Sequence, residues 1–113
     1  MSNTYLNTCA IFSLMGSHQK ALHMAQKAIE IITNQNSVYQ FDLQSFVETI
    51  DHKLKITLAA GYFNKAVELE YLNKGGKVKR EYVLMAYSAI QNALKVSKFI
   101  PSGLNVPLVS EIK

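Results

Sequence analysis

Apolar residues recur at steps of three and four along most of this chain, and no segment keeps an alternation of apolar and polar residues. That spacing puts apolar side chains on one face of an α-helix, whereas alternation would indicate a half-buried strand. It predicts helices over residues 4–16, 18–33, 46–73 and 80–99. We therefore expect an all-α chain of antiparallel helical hairpins, with about four helices.

Glycine and polar residues separate these predicted helices. Gly16 and Ser17 indicate the end of the first helix and the N-cap of the second. Residues 45–48, Ser-Phe-Val-Glu, fit a capping box at the start of the third helix. Residues 74–77, Lys-Gly-Gly-Lys, break the chain before the fourth helix. Two prolines and a glycine predict an extended tail over residues 100–113.

Length and cysteine content narrow the class of protein further. The chain has 113 residues, the size of one domain, and 49% of them are hydrophobic. Its single cysteine, Cys9, can form neither an internal disulfide nor a zinc cluster, which favours a reducing compartment. No apolar run approaches the roughly 20 residues of a membrane span, and the first residues do not resemble a secretory signal. We expect a cytoplasmic protein.

The net charge of +4 depends on one short segment. Residues 1–52 carry two basic and four acidic side chains, and residues 53–113 carry ten basic and four acidic ones. Four of those basic residues are Lys74, Lys77, Lys79 and Arg80, and without them the net charge would be zero. The basic isoelectric point is therefore mainly a property of this cluster.

The chain contains an internal repeat. Residues 5–12 align with residues 62–69, so that a Tyr, an Asn, a small residue and a large apolar residue coincide. The alanines at positions 21, 25 and 28 align with Ala86, Ile90 and Ala93 at a larger offset. An insertion at residues 74–77 accounts for the difference between the two offsets. The sequence thus predicts two helical hairpins of one kind.

The repeat resembles the tetratricopeptide repeat, whose pattern alternates aromatic, small and large apolar positions over about 34 residues. The residues that fit are Tyr5, Cys9, Phe12, Gly16, Ala21 and Ala28 in the first copy, and Tyr62, Ala66, Leu69, Ala86 and Ala93 in the second. Those that depart are Thr8, Ala25, Thr33, Lys65 and Lys98. The resemblance implies one domain over 1–113, with a first repeat at 3–33, a connector at 34–45, a second, interrupted repeat with a long first helix at 46–99, and the tail.

The resemblance also implies a protein–protein interaction scaffold or adaptor subunit without enzymatic activity. In this family the first helix of each hairpin lines a concave groove that binds a peptide or a helix. The corresponding partner-binding positions are Asn3, Leu6, Asn7, Ser13, Leu14, Phe63, Asn64, Glu70 and Tyr71, with Ala10, Ala60 and Val67 between them. Leu6 and Ala10 occupy positions where a carboxylate clamp would need polar groups, so we expect no such clamp. Similar repeats occur in ciliary and cytoskeletal assemblies.

The residues themselves indicate no catalytic, metal or cofactor site. Cys9 falls at a small-residue packing position, where a buried thiol is expected. His18 and His23 are five residues apart and so do not share a helix face. Glu68 and Glu70 are two apart and point in different directions, which does not suit paired acid–base catalysis.

An alternative function rests on the cluster Lys74, Lys77, Lys79 and Arg80. It could bind an anionic surface, either nucleic acid or an acidic protein tail, or it could simply be a solvated loop. Tyr82 is the one aromatic residue among these basic ones, so we do not expect nucleic acid as the partner.

Two repeats are fewer than the three or so units that usually bury a continuous core. We therefore expect the isolated chain to be marginally stable or to self-associate. A larger protein complex would then cover the groove and the open ends of the hairpins.

Overall fold

A computed structural model describes residues 2–35, 43–74 and 79–100, and within these ranges the chain is all-α. The five helices are α1 (Ser2–Leu14), α2 (His18–Gln35), α3 (Leu43–Thr49), α4 (His52–Lys74) and α5 (Arg80–Ser97). The all-α part of the predicted fold class is confirmed, and the described residues form five helices instead of about four. Most of the predicted connector, Gly75, Gly76 and Lys77, and residues 101–113 of the predicted tail lie outside the described residues.

The predicted helix over 46–73 is wrong as a single element, because it is divided at Ile50 and Asp51. The carboxylate Oδ1 of Asp51 accepts a hydrogen bond of 2.8 Å from the backbone N–H of Leu54, as an N-cap does at the start of a new helix. The Thr49 hydroxyl donates to the Phe46 carbonyl at 2.7 Å, close to the end of α3. The predicted capping box at residues 45–48 is wrong as a helix start, because α3 begins at Leu43 and residue 45 therefore lies inside the helix.

The turn between α1 and α2 follows the predicted glycine stop. Gly16 has a φ of +79°, the left-handed conformation that favours glycine. The N–H of Ser17 donates to the Phe12 carbonyl at 2.8 Å, and the N–H of Gly16 donates to the Ser13 carbonyl at 3.0 Å. These two bonds form a Schellman motif, which satisfies carbonyls that would otherwise be unpaired at the helix end.

Helix α4 is the central helix of the fold. It packs extensively against both α2 and α5, whereas α1 packs mainly against α2 and α3 makes a smaller contact with α5. Ala21, Ala25 and Ala28 lie on one face of α2 at helical spacing and have no exposed surface. These small side chains allow helices to approach closely. At Gly61 of α4, an added Cβ would lie 3.0 Å from Cγ1 of Ile29.

Two clusters of buried side chains hold the helices together. The smaller one contains Cys9, Ala21 and Ala25 between α1 and α2. The larger one joins α2, α3, α4 and α5 through Ile32, Phe46, Val47, Ile50, Leu58, Ala59, Tyr62, Ala93 and Val96. Within the described ranges, no helix combines the length and apolar character needed to cross a membrane.

Candidate functional site

A groove of about 560 Å³ lies between the C-terminal half of α4 and the N-terminal half of α5. Its walls are mostly apolar, with polar groups concentrated towards one end. The lining residues are Phe63, Ala66, Val67, Glu70, Asn73 and Lys74 from α4, and Val83, Ala86, Tyr87 and Ile90 from α5. We refer to this feature as the α4/α5 groove.

Two large apolar side chains of α5 border this groove and remain in contact with solvent. Tyr87 is 66% exposed and Val83 is 48% exposed. The residues of α5 that are buried are Ala89, Ala93 and Val96, all in its C-terminal half. The N-terminal half of α5 therefore presents an apolar surface that the described helices leave uncovered.

The polar end of the groove lies where α4 ends and α5 begins. Lys74 lines the groove there, and Lys79 and Arg80 are exposed at the start of α5. The backbone N–H of Lys79 donates to the side-chain oxygen of Asn73 at 3.3 Å, which ties the two helices together. The Lys79 ammonium lies 5.1 Å from the centre of the Tyr82 ring, within cation–π range. Lys77, the fourth residue of the predicted basic cluster, lies outside the described residues.

The predicted binding positions on α4 fall on different sides of that helix. Phe63 and Glu70, with Val67 between them, line the α4/α5 groove. Asn64 is half-buried and does not line it. Tyr71 lies in a separate recess beside the α1–α2 turn, where its ring stacks on the His18 imidazole at 4.3 Å.

The predicted binding positions on α1 do not line the α4/α5 groove. Asn3 lies close to α4, since its amide oxygen accepts a hydrogen bond of 3.4 Å from the Thr57 hydroxyl. Asn7 is exposed, and Leu6 and Ser13 are half-buried. Leu14 is 89% exposed and forms a second apolar patch with Ile11 and Met15 at the end of α1.

A part-buried side-chain contact that the sequence did not predict joins α2 to α4. Nδ1 of His18 lies 2.6 Å from Oε1 of Glu68, whose residue is only 3% exposed. The two residues are fifty positions apart, so helical spacing could not relate them. The one available signal was a glutamate between Val67 and Leu69, on a helix with apolar residues on more than one side.

Cys9 lies in a position that suits packing better than chemistry. It is 2% exposed, and burial raises the pKa of its thiol to about 11, with the Glu68 carboxylate adding to the rise. A thiol needs to be deprotonated to act as a nucleophile or a metal ligand. Among the described residues, no group of three or more His, Cys, Asp or Glu side chains could hold a metal ion.

Comparison of the chain with protein family models, with curated proteins and with solved structures found no match.

Proposed function

We propose that this chain is a protein–protein interaction module, acting as a scaffold or adaptor subunit of a larger assembly, and that a partner segment docks in the α4/α5 groove. The observation that carries the proposal is the exposure of Tyr87 and Val83 beside an apolar groove. Contiguous exposed apolar surface on a soluble domain commonly marks an interaction site. Tyrosine is also among the residues that contribute most to binding energy at interfaces.

The sequence resemblance supports the same class of function. In this proposal, α1 with α2 and α4 with α5 are two tetratricopeptide-like hairpins that stack through α2 and α4. The extensive contacts within each pair and between α2 and α4 are compatible with such stacking. The proposal places the partner between the two helices of the second pair, with Phe63, Glu70, Val83 and Tyr87 in contact with it.

The other sequence-predicted positions form a competing surface within the same function. Asn3, Leu6, Asn7, Ser13 and Leu14 belong to α1, where Ile11, Leu14 and Met15 are exposed apolar residues. We favour the α4/α5 groove because it is concave and because it brings side chains of two helices together.

Site-specific photo-cross-linking tests the proposal. A photoreactive phenylalanine analogue replaces Tyr87 in one variant, Leu14 in a second and His23, an exposed residue of α2, in a control. We expect a specific cross-linked protein from position 87 and not from position 23. The identified protein is then purified, and its affinity for the chain should fall at least about tenfold with Tyr87→Ser. Cross-linking from position 14 alone would indicate that the interface lies on α1 instead.

A second candidate function is the binding of an anionic surface, which the exposure of Lys74, Lys79 and Arg80 favours. Phosphate contacts weaken steeply as salt rises because counterions are released on binding. Binding that depends on these three side chains and on salt, but not on Tyr87, would favour this candidate.

A cytoplasmic location, with ciliary and cytoskeletal assemblies as candidates, belongs to the main proposal and is tested by the identity of the cross-linked protein.

A further inference from the structure

The walls of the α4/α5 groove discriminate between a helical and an extended occupant. Both walls are α-helices, so their backbone N–H and C=O groups are already paired within each helix along the groove. An extended peptide would bring unpaired backbone groups against Phe63, Val67, Val83 and Ile90, where no partner exists for them. A helix satisfies its own backbone and needs only apolar side chains on one face.

The length of the groove sets the size of that helix. On α4 the lining extends from Phe63 to Lys74, which corresponds to about 16 Å at the rise of an α-helix. A docked helix of about three turns matches this length, with apolar residues at positions i, i+3 or i+4, i+7 and i+11. Small residues in the floor, Ala66 and Ala86, leave room for larger side chains of the occupant.

Charge distinguishes the two ends of the groove. Lys74 lines one end, and Arg80 lies one helical turn before Val83, with Lys79 directly before it. Glu81 is the one acidic residue among the described residues 71–85, so this end carries net positive charge. Glu70 lies one helical turn before Lys74 on α4 and also lines the groove. Its carboxylate would repel an acidic side chain of an occupant at that point. Complementary charge on an occupant therefore belongs at its end and not along its length.

We propose that the occupant of the α4/α5 groove is an amphipathic helix of about three turns that carries acidic residues at the end facing Lys74, Lys79 and Arg80. This inference rests on the proposed function and names the chemistry of the partner. The apolar face of the helix contacts Phe63, Val83 and Tyr87. The acidic end supplies orientation and selectivity, because a basic end would be repelled there.

Two kinds of synthetic peptide, each made in two orientations, test the inference on the full chain. Each peptide is an amphipathic helix of about 14 residues with leucines at the spacing given above. One ends in three glutamates and the other ends in three lysines, and both are made with the charged end at either terminus. Affinities are measured by isothermal titration calorimetry at about 50 mM and about 300 mM salt, because screening weakens contacts between exposed charges.

We expect the glutamate peptide to bind at least about tenfold more tightly than the lysine peptide at low salt, with a smaller ratio at high salt. The double variant Lys79→Glu/Arg80→Glu should reverse this preference. The variant Tyr87→Ser should weaken binding of the glutamate peptide at least about tenfold. The control Leu84→Ser removes an apolar side chain of α5 that is exposed to a similar degree but does not line the groove, and it should leave binding unchanged. All four positions are exposed, and circular dichroism checks the helix content of each variant.

Each other outcome overturns the inference in a distinguishable way. Equal binding of both peptides, lost with Tyr87→Ser, would leave the groove as a docking site and reject the acidic partner. Binding that depends on Lys79 and Arg80 but not on Tyr87 would indicate an anionic-surface site. No binding of either peptide would reject the inference, and cross-linking from position 87 would then decide separately whether the groove is a docking site.

Discussion

Nδ1 of His18 lies 2.6 Å from Oε1 of Glu68, and this contact joins the first turn of α2 to the C-terminal half of α4. The Glu68 side chain is almost fully buried, whereas the His18 side chain keeps partial access to solvent. The Tyr71 ring stacks on the His18 imidazole, nearly parallel to it, with the ring centres 4.3 Å apart. Removing the histidine would leave a buried carboxyl group without this partner.

We therefore expect His18→Ala to lower the free energy of unfolding by about 1–3 kcal/mol, the usual cost of an unpaired buried polar group. Urea denaturation measures the change. His23→Ala alters an exposed histidine of the same helix and should have no measurable effect. A double-mutant cycle with Glu68→Ala should give a coupling of at least about 0.5 kcal/mol. Strictly additive effects would show that the contact does not stabilise the fold.

At Gly61, α4 lies close to the Ile29 side chain of α2. Replacing it with alanine gains helix propensity of up to about 1 kcal/mol but brings the new Cβ to 3.0 Å from Cγ1 of Ile29. We expect the two effects nearly to cancel in the wild-type background. In an Ile29→Ala background, which removes Cγ1, the same Gly61→Ala change should be clearly stabilising. Thermal unfolding of the four proteins measures this, and an identical effect in both backgrounds would contradict the close approach.

The left-handed conformation of Gly16 predicts a different outcome from a similar substitution. Gly16→Ala should destabilise the chain by about 1–2 kcal/mol, because a side chain disfavours positive φ. An added Cβ would meet no atom within 4 Å, so this cost comes from the backbone alone. Gly16→Asn should cost less, since asparagine tolerates this conformation better. Equal costs for both variants, measured by urea denaturation, would contradict this explanation.

The buried Cys9 thiol should make the stability of the chain depend on pH in the alkaline range. Its thiol pKa is about 11 in the folded chain and 9.0 in the unfolded chain, so below pH 9 the proton is held in both states. Above pH 9 the unfolded state releases the proton first, and the stability contributed by the protonated thiol is lost as the pH rises to about 11. The wild-type chain should therefore lose more stability over this interval than Cys9→Ala does.

The same comparison removes the effects of two other groups. Burial raises the pKa of the Tyr62 phenol, which also favours unfolding as the pH rises. Burial lowers the pKa of the Lys65 ammonium, which acts in the opposite direction. Both residues are present in the wild type and in Cys9→Ala, so their contributions cancel in the difference. Parallel stability profiles of the two proteins between pH 9 and 11 would contradict the assignment to Cys9.

Helical spacing predicted which segments are helices more accurately than where they are interrupted. The steps Phe46, Ile50 and Leu54 keep the helical period straight through the break before α4. The break depends on Asp51, whose carboxylate accepts a hydrogen bond from the backbone N–H of Leu54. A single aspartate within a continuous helical period is a weak sequence signal for a new helix start. The inner face of α2 was predictable because its alanines at positions 21, 25 and 28 share one side of the helix.

The candidate site was predictable only in part, for a related physical reason. Spacing identifies the apolar face of a helix but not how far along that face a neighbour extends. Val83 and Tyr87 carry the same apolar signal as Ala93 and Val96, yet only the latter pair is buried. Tyr71 occupied a predicted groove position, but its orientation towards His18 follows from the packing of α4 against α2.

The most direct test of the docking site is a map of backbone amide chemical shifts in the full chain on addition of the glutamate peptide. The account predicts that the largest shifts fall on α4 between Phe63 and Lys74 and on α5 between Arg80 and Ile90. The amides of α1 around Leu14 should change little. Shifts concentrated on α1, or on the basic residues alone while Val83, Tyr87 and Ile90 stay unchanged, would contradict the α4/α5 groove as the place where a partner docks.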